Sequence, residues 1–255
     1  MTITPDNPFA AADVGAVYAR GRPYHHPRSL AHVFAAAGAT RVDRALDVAC
    51  GTGMSTRALA ERAMTVVGVD VSREMLRAAP PVARASYLLG SAEHLPLPAG
   101  SIDAVTCSSG VHWFDQAKFF ADVHRVLRPG GWVGLYDHYF LGMPDVPEFD
   151  EWARTLFARY PLPPRNPQVG DPRATTPAGF AEIGSELFED PITMTRDEFA
   201  DYQLTVSHCV AAAERGVPRA ELRDWLFAST APLFAGAPTR TIRFVGTVTC
   251  LRRLA

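Results

Sequence analysis

Two glycines and an aspartate set the first chemical expectation. Leu46-Asp47-Val48-Ala49-Cys50-Gly51-Thr52-Gly53-Met54-Ser55-Thr56 reads as a short apolar strand, a tight turn and the start of a helix. Glycine lets a backbone turn sharply and come close to a ligand. The helix start behind it offers unpaired N–H groups and the positive end of a dipole. Asp70 closes the next β-branched run, nineteen residues after Gly51. A carboxylate at that spacing can accept hydrogen bonds from both hydroxyls of a ribose. Together these features describe a nucleoside-containing cofactor lying across the carboxyl ends of a parallel sheet. A dinucleotide site reads G-x-G-x-x-G/A. Here Thr56 fills the third small position and Asp47 stands inside the strand, and both depart from that motif.

Imidazoles supply the next candidates, because they titrate near neutrality. The chain offers His25, His26, His112, His138 and His208. His112 and His138 follow two adjacent strands on the crevice side, so they are the expected catalytic positions. A packing or capping role competes at each. The histidine spacings are not those of a metal site, and no metal is expected.

These residues need a scaffold, and the sequence alternates. Short apolar runs at 45–49, 65–70, 83–89, 102–107 and 132–139 read as strands. Helical patterns lie between them at 53–63, 72–79 and 116–127, and Arg128-Pro129-Gly130-Gly131 reads as a hard turn. Such a rhythm predicts a parallel sheet covered by helices on both faces. Asn7-Pro8 reads as the start of a first helix ending near Gly21, and a second runs from Arg28 to Ala37. After Phe140 the rhythm breaks into a proline-dense stretch with one helical segment, around Trp152 to Tyr160. Its aromatic residues either wall an acceptor pocket or form the insert's own core. Helices are expected over 196–212 and 218–234, and a last, antiparallel strand over 241–250.

Composition narrows the function classes. The chain has 255 residues, 25 basic against 27 acidic, and a formal charge of −2. That balance gives no bulk electrostatic reason to seek nucleic acid or an anionic membrane. No apolar run approaches the length of a membrane-spanning helix, and the first residues lack signal-peptide blocks. Four scattered cysteines fit a reduced compartment, so a cytoplasmic location is expected.

In this order the motifs resemble the class I S-adenosylmethionine-dependent methyltransferases. The likeness is to the small-molecule branch with the ubiquinone/menaquinone-type and trans-aconitate-type enzymes. It runs from about Tyr18 to Leu135. Leu46 to Gly53 resembles the first motif, Val69-Asp70 the ribose-binding acid, and Gly90 to Pro98 the segment framing the adenine. Ser101 to Val105 resembles the fourth strand, and Leu127 to Gly131 the turn before the fifth. The resemblance implies S-adenosyl-L-methionine as cofactor. Asp47, Gly51 and Gly53 would line its methionine half, and Asp70 would hold the ribose. Val71 and Met75 would pack near the adenine, and Ala92 would offer the ring its N–H. Many relatives have an aspartate where this chain has Ser91, so Ser91 or Glu93 is the expected acceptor for the adenine amino group. Ser109 to Trp113 would lie beside the sulfonium. Tyr18 to Tyr24 resembles the segment that closes over the methionine end, with Tyr18 and Arg20 or Arg22 toward the cofactor carboxylate. The Asn/Asp-Pro-Pro-aromatic motif of relatives that methylate DNA bases or glutamine amides is absent.

The expected fold is therefore α/β and Rossmann-like. It has a seven-stranded, mostly parallel sheet with an antiparallel last strand. N-terminal lid helices (1–40) and a helical cap (141–182) flank a core of 41–140 and 183–255. The expected activity is methyl transfer to a small organic metabolite by in-line displacement, in a monomer or homodimer without nucleic-acid or membrane partners. Two rivals stand beside it. One is a cyclase or pericyclase that uses the sulfonium only electrostatically. The other is a nicotinamide-dependent oxidoreductase.

Overall fold

The computed structural model describes residues 14–161 and 176–255. The Asn7-Pro8 helix start and residues 162–175 of the expected cap lie outside them. Helices α1 (Val14–Gly21) and α2 (His26–Ala36) open the chain. Alternation then gives β1 (Val42–Val48), α3 (Met54–Leu59), β2 (Ala63–Asp70), α4 (Arg73–Ala78) and β3 (Ala85–Leu89). It continues with β4 (Ile102–Ser108), α5 (Gln116–Val126) and β5 (Leu127–Gly142). Next come α6 (Phe149–Arg159), β6 (Phe180–Glu189), β7 (Ile192–Thr195), α7 (Arg196–Gln203) and α8 (Ser207–Glu214). The last elements are α9 (Arg219–Ser229), α10 (Ala231–Phe234) and β8 (Thr239–Arg253).

The chain divides into two compact units. The sheet unit holds Tyr24–His138, residues 176–188 and Gly246–Ala255; the helical unit holds residues 14–23, 139–161 and Glu189–Val245. This partition differs from the expected one, because residues 189–245 segregate with the insert and with α1. The apolar side chains of α7 to α10 pack with those of α6 in one core, so these helices belong together.

Seven strands follow one path in the order β3-β2-β1-β4-β5-β8-β6. The pairs β1·β2, β1·β4, β2·β3 and β4·β5 are parallel. The final strand β8 also pairs with β7, off that path and antiparallel. Strand periodicity explains the two apolar layers. Leu46, Val48, Val105, Cys107, Val133 and Leu135 point to one face and pack with Phe119, Phe120, Val123 and Val126 of α5. Ala45, Ala104, Trp132 and Tyr136 point to the other and pack with Leu30, Val33 and Phe34 of α2 and Ala58 and Leu59 of α3. Asp47 and Thr106 share the parity of that second face, which decides what they can touch.

The turn at Arg128 to Gly131 is absorbed into β5 as an irregularity. The register jumps from Ile102↔Leu127 to Ala104↔Trp132, and Arg128 pairs with Asp103 at 2.6 Å across the bulge. In the helical unit, Trp152, Phe199, Leu222, Phe234 and Phe244 form the core. Phe140, Met143, Phe149 and Tyr160 join it, whereas Leu141 and Phe157 are exposed. The aromatic residues of the insert thus largely serve their own core. All four cysteines are buried and unpaired as disulfides. No helix among the described residues is long and apolar enough to cross a membrane.

Candidate functional site

Parallel strands deliver their following loops to one edge of the sheet, and four such loops carry the candidate residues. The first follows β1. Asp47 is completely buried, and its Oδ2 accepts hydrogen bonds from Ser55 Oγ and Thr56 Oγ1, both at 2.6 Å. Thr106 Oγ1 donates to its Oδ1 at 3.3 Å. Burial pushes this carboxyl up to about 6, against the pull of the three hydroxyls. Asp47 therefore ties the first turn of α3 to β1 and β4 and has no surface with which to line a ligand. The loop between is tightly wound. Gly51 and Gly53 have φ of 53° and 76°, and even Ala49 has φ of 55°. The two glycines are needed for different reasons. A Cβ on Gly53 would stand 2.3 Å from the Tyr87 hydroxyl, so Gly53 makes room for a protein neighbour. A Cβ on Gly51 would meet only the terminal methyl of Met75, at 3.1 Å. The Thr52 hydroxyl between them is buried and has no hydrogen-bond partner among the described residues.

Asp70 ends β2 beside this loop. Its Oδ2 accepts from Gly51 N–H and its Oδ1 from Ser72 N–H, both at 2.8 Å. Burial raises its pKa, and these N–H groups oppose the rise. A carboxylate has about four acceptor sites, so both oxygens keep capacity for further donors. Ser72 caps α4 by accepting from Met75 N–H at 3.2 Å, which seats buried Met75 against the glycine loop. Val71 is exposed between them.

The segment after β3 is held from below. Arg125 on α5 donates to the Leu95 and Leu97 carbonyls at 2.9 and 2.7 Å and pairs with Asp122. Ala92 is buried there. Ser91 donates to Glu93 Oε2, and Glu93 Oε1 accepts from Asp115 N–H at 3.1 Å. Glu93 thus links this loop to the start of α5, where Asp115 is the N-cap by accepting from Lys118 N–H at 3.2 Å.

The fourth loop follows β4. Ser109 has φ of 52°, unusual for a residue with a Cβ, and its N–H bonds to the Tyr136 carbonyl at 3.0 Å. Val111–Trp113 forms a single 3-10 turn that leaves His112 and Trp113 exposed, with their rings 5.0 Å apart. His138 follows β5. Its ring stacks on His25 at 4.1 Å, and His26 hydrogen-bonds the buried Tyr136 hydroxyl at 3.0 Å. No group of three histidine, cysteine or acidic side chains among the described residues is arranged to hold a metal.

Other candidates lie in the helical unit. Arg22 donates to the Thr205 carbonyl at 2.9 Å and lies over the rings of Tyr18 and Tyr202, at 4.9 and 5.5 Å. Arg20 pairs with Asp201 at 3.2 Å. His208 is buried, and that burial lowers its pKa to about 4, which removes it from acid–base work near neutrality.

Sequence reasoning did not find the Arg125 clamp, the Tyr136–His26 bond, or Arg57, whose Nε donates to the Tyr24 hydroxyl at 3.1 Å. Each joins residues from different elements, and no local motif marks such pairs.

Residues 46–135 match the model of a methyltransferase-domain family. An uncharacterised methyltransferase of Mycobacterium tuberculosis is 46% identical over 125 residues, which cover 48% of this chain and 49% of that one. The chain thus spans about half the length of such curated relatives. A Dictyostelium discoideum protein, itself provisionally assigned as a methyltransferase, is 34% identical over 179 residues, covering 68% of each chain. Among solved structures, a provisionally assigned type II methyltransferase from Anaeromyxobacter dehalogenans superposes with a TM-score of 0.67. It has 28% identity and covers 91% of this chain and 96% of that one. The chain belongs to the methyltransferase family, in its class I, Rossmann-like form.

Proposed function

We propose that the protein transfers a methyl group from S-adenosyl-L-methionine to a small organic metabolite. The supporting observation is the cradle formed by Gly51, Thr52 and Asp70. Gly51 leaves backbone open to close approach, Thr52 supplies a buried hydroxyl in search of a partner, and Asp70 keeps acceptor capacity for ribose hydroxyls. A nucleoside with a charged tail fits this donor and acceptor set. When bound, the cofactor supplies a methyl group already activated by positive sulfur. The protein's part is then positioning and water exclusion.

In this reading Asp70 holds the ribose, and Gly51, Gly53 and Thr52 border the methionine half. Val71, Met75, Ser91 and Ala92 frame the adenine. Ser109, His112 and His138 face the acceptor. Asp47 acts through the loop that it fixes. The acceptor is a small molecule, neither nucleic acid nor membrane, and the enzyme works in the cytoplasm as a monomer or homodimer.

Calorimetric titration with S-adenosylmethionine, S-adenosylhomocysteine and NAD tests the reading. Binding of the first two and not of NAD is expected. Binding of NAD alone would overturn it. Release of S-adenosylhomocysteine during acceptor turnover separates methyl transfer from a cyclase that merely holds the sulfonium.

A further inference from the structure

The loop after β3 takes its shape from α5 rather than from a ladder of its own. Residues 90–98 lie outside the strands and helices, and one isolated bridge joins Ser91 to His94. Pro96 and Pro98 have no N–H to offer. Ala92 and Leu95 are buried in the core to which Phe119 and Val123 of α5 belong, so the backbone groups beside them need protein partners. Two side chains one turn apart on α5 supply them. Asp122 Oδ2 accepts from Leu95 N–H at 2.5 Å. Arg125 Nη2 donates to the Leu95 carbonyl at 2.9 Å, and its Nη1 to the Leu97 carbonyl at 2.7 Å. The two side chains also bond each other, Nε to Oδ1 at 2.7 Å and Nη2 to Oδ2 at 2.9 Å. Burial pushes the Asp122 carboxyl up, but the bonds from Arg125 and Leu95 N–H outweigh it and leave its pKa below the ordinary value. A guanidinium spans this set because its donors diverge in a rigid plane; an ammonium is a point charge and cannot.

The other end of the loop adjoins Asp70. Gly90 N–H donates to the Asp70 carbonyl at 3.0 Å, and His94 N–H to the Ser91 carbonyl at 3.2 Å. Glu93 Oε1 accepts from the N–H of Asp115, the N-cap residue of α5, at 3.1 Å. One helix thus holds the loop at Glu93 and again at Leu95 and Leu97. Ala92 is three residues from Leu95, at most about 10 Å of extended chain, and the turn at 91–94 shortens that reach. Ser91 spends its one hydroxyl proton on Glu93, which leaves its oxygen an acceptor.

Adenine and hypoxanthine differ at the atoms that such a loop can read. Adenine offers an amino donor at C6 and an acceptor at N1. Hypoxanthine offers an oxo acceptor at C6 and an N–H donor at N1. A fixed Ser91 oxygen and a fixed Ala92 N–H suit the first base and oppose the second. We propose, on the methyl-transfer reading, that Asp122 and Arg125 are positioning residues for base recognition. Through this pair α5 sets the loop so that an adenine nucleoside is accepted and its hypoxanthine analogue rejected. The pair acts through the backbone of Leu95 and Leu97. A displacement of about 1 Å at Ser91 and Ala92 is enough to blunt both contacts.

The test is calorimetry of S-adenosylhomocysteine and S-inosylhomocysteine on the whole protein. Wild type should prefer the adenine ligand by about tenfold or more. Arg125→Met should bring that ratio toward one. Arg125→Lys, which still reaches one carbonyl, and Asp122→Asn, which still accepts from Leu95 N–H, should each keep part of it. A merely structural role lowers both affinities together and leaves the ratio as it was. That result in any folded variant, or a wild type without preference, would overturn the proposal; the two milder substitutions judge it where Arg125→Met does not fold. Hydrogen exchange needs no variant: the Leu95 amide should slow with S-adenosylhomocysteine and less with S-inosylhomocysteine, and equal slowing would count against the pair. Failure of S-adenosylhomocysteine to bind wild type would instead overturn the methyl-transfer reading, and this inference with it.

Discussion

Asp47 and Asp70 are two carboxylates at the ends of adjacent strands with different duties. Asp70 presents acceptor capacity, so its loss removes charge-assisted bonds worth roughly 1.5–3 kcal/mol. Asp70→Ala should weaken S-adenosylmethionine binding about 10- to 150-fold by calorimetry, with the fold retained. Unchanged affinity would reject the ribose assignment. Asp47 is a stability device with a pH signature. Its folded-state pKa is about 6, against an ordinary value of 3.8. The folded protein therefore binds the extra proton between those values. The associated stability is present below about pH 3.8 and lost as pH rises through 6, a change of about 3 kcal/mol. In urea denaturation, wild type should lose about 2 kcal/mol of that relative to Asp47→Asn between pH 4 and 6. A flat difference would mean that Asp47 is ionised throughout. The place of Asp70, at a strand end beside the glycine loop, was legible in the sequence from spacing. The burial of Asp47 was not, because it depends on hydroxyls of Ser55, Thr56 and Thr106 meeting on one face. Nor was the His25–His138 stack, whose members come from the cap of α2 and from within β5, far apart in the chain.

Loops after β1 and β4 carry backbone that only their surroundings can hold. Ala49 and Ser109 sit in the left-handed region, at a cost of about 1–2 kcal/mol each for a residue with a Cβ. Ser109→Gly should raise thermal stability unless its hydroxyl is used in the fold; a fall in melting temperature would reveal that use. Gly51→Val should abolish cofactor binding while circular dichroism stays near wild type, because the cost is local: Met75 must give way and the loop bears a branched residue at φ of 53°. Normal binding would remove the glycine loop from the site. Strands and their flanking helices were readable from alternation, but helix ends were less so. The pattern over 196–212 reads as one helix, yet α7 stops at Gln203 and α8 starts at Ser207. The Thr205 hydroxyl takes the Tyr202 carbonyl at 2.6 Å between them. Thr230 likewise takes the Leu226 carbonyl at 2.8 Å where α9 ends. Hydroxyl competition for backbone carbonyls bends helices in ways that hydrophobic periodicity does not register.

At the scale of the molecule, ligand binding should appear as added stability. S-adenosylhomocysteine at a hundred times its dissociation constant should contribute about 2.7 kcal/mol. Hydrogen exchange should slow in residues 49–56, 70–75 and 91–95; slowing absent from all three would place the ligand elsewhere. The mostly parallel sheet and its antiparallel last strand were within reach of the sequence, whereas the division into units was not, because residues 189–245 carry no composition shift that announces a different core. That division interleaves the chain. Each unit draws on three separate stretches, and β8 contributes its residues up to Val245 to one and from Gly246 to the other. Neither unit can close its core during synthesis until this last strand has left the ribosome. Until β8 is made, both units expose open sheet edges and unsatisfied apolar layers, and yield in cells should depend on chaperones that shield such chains.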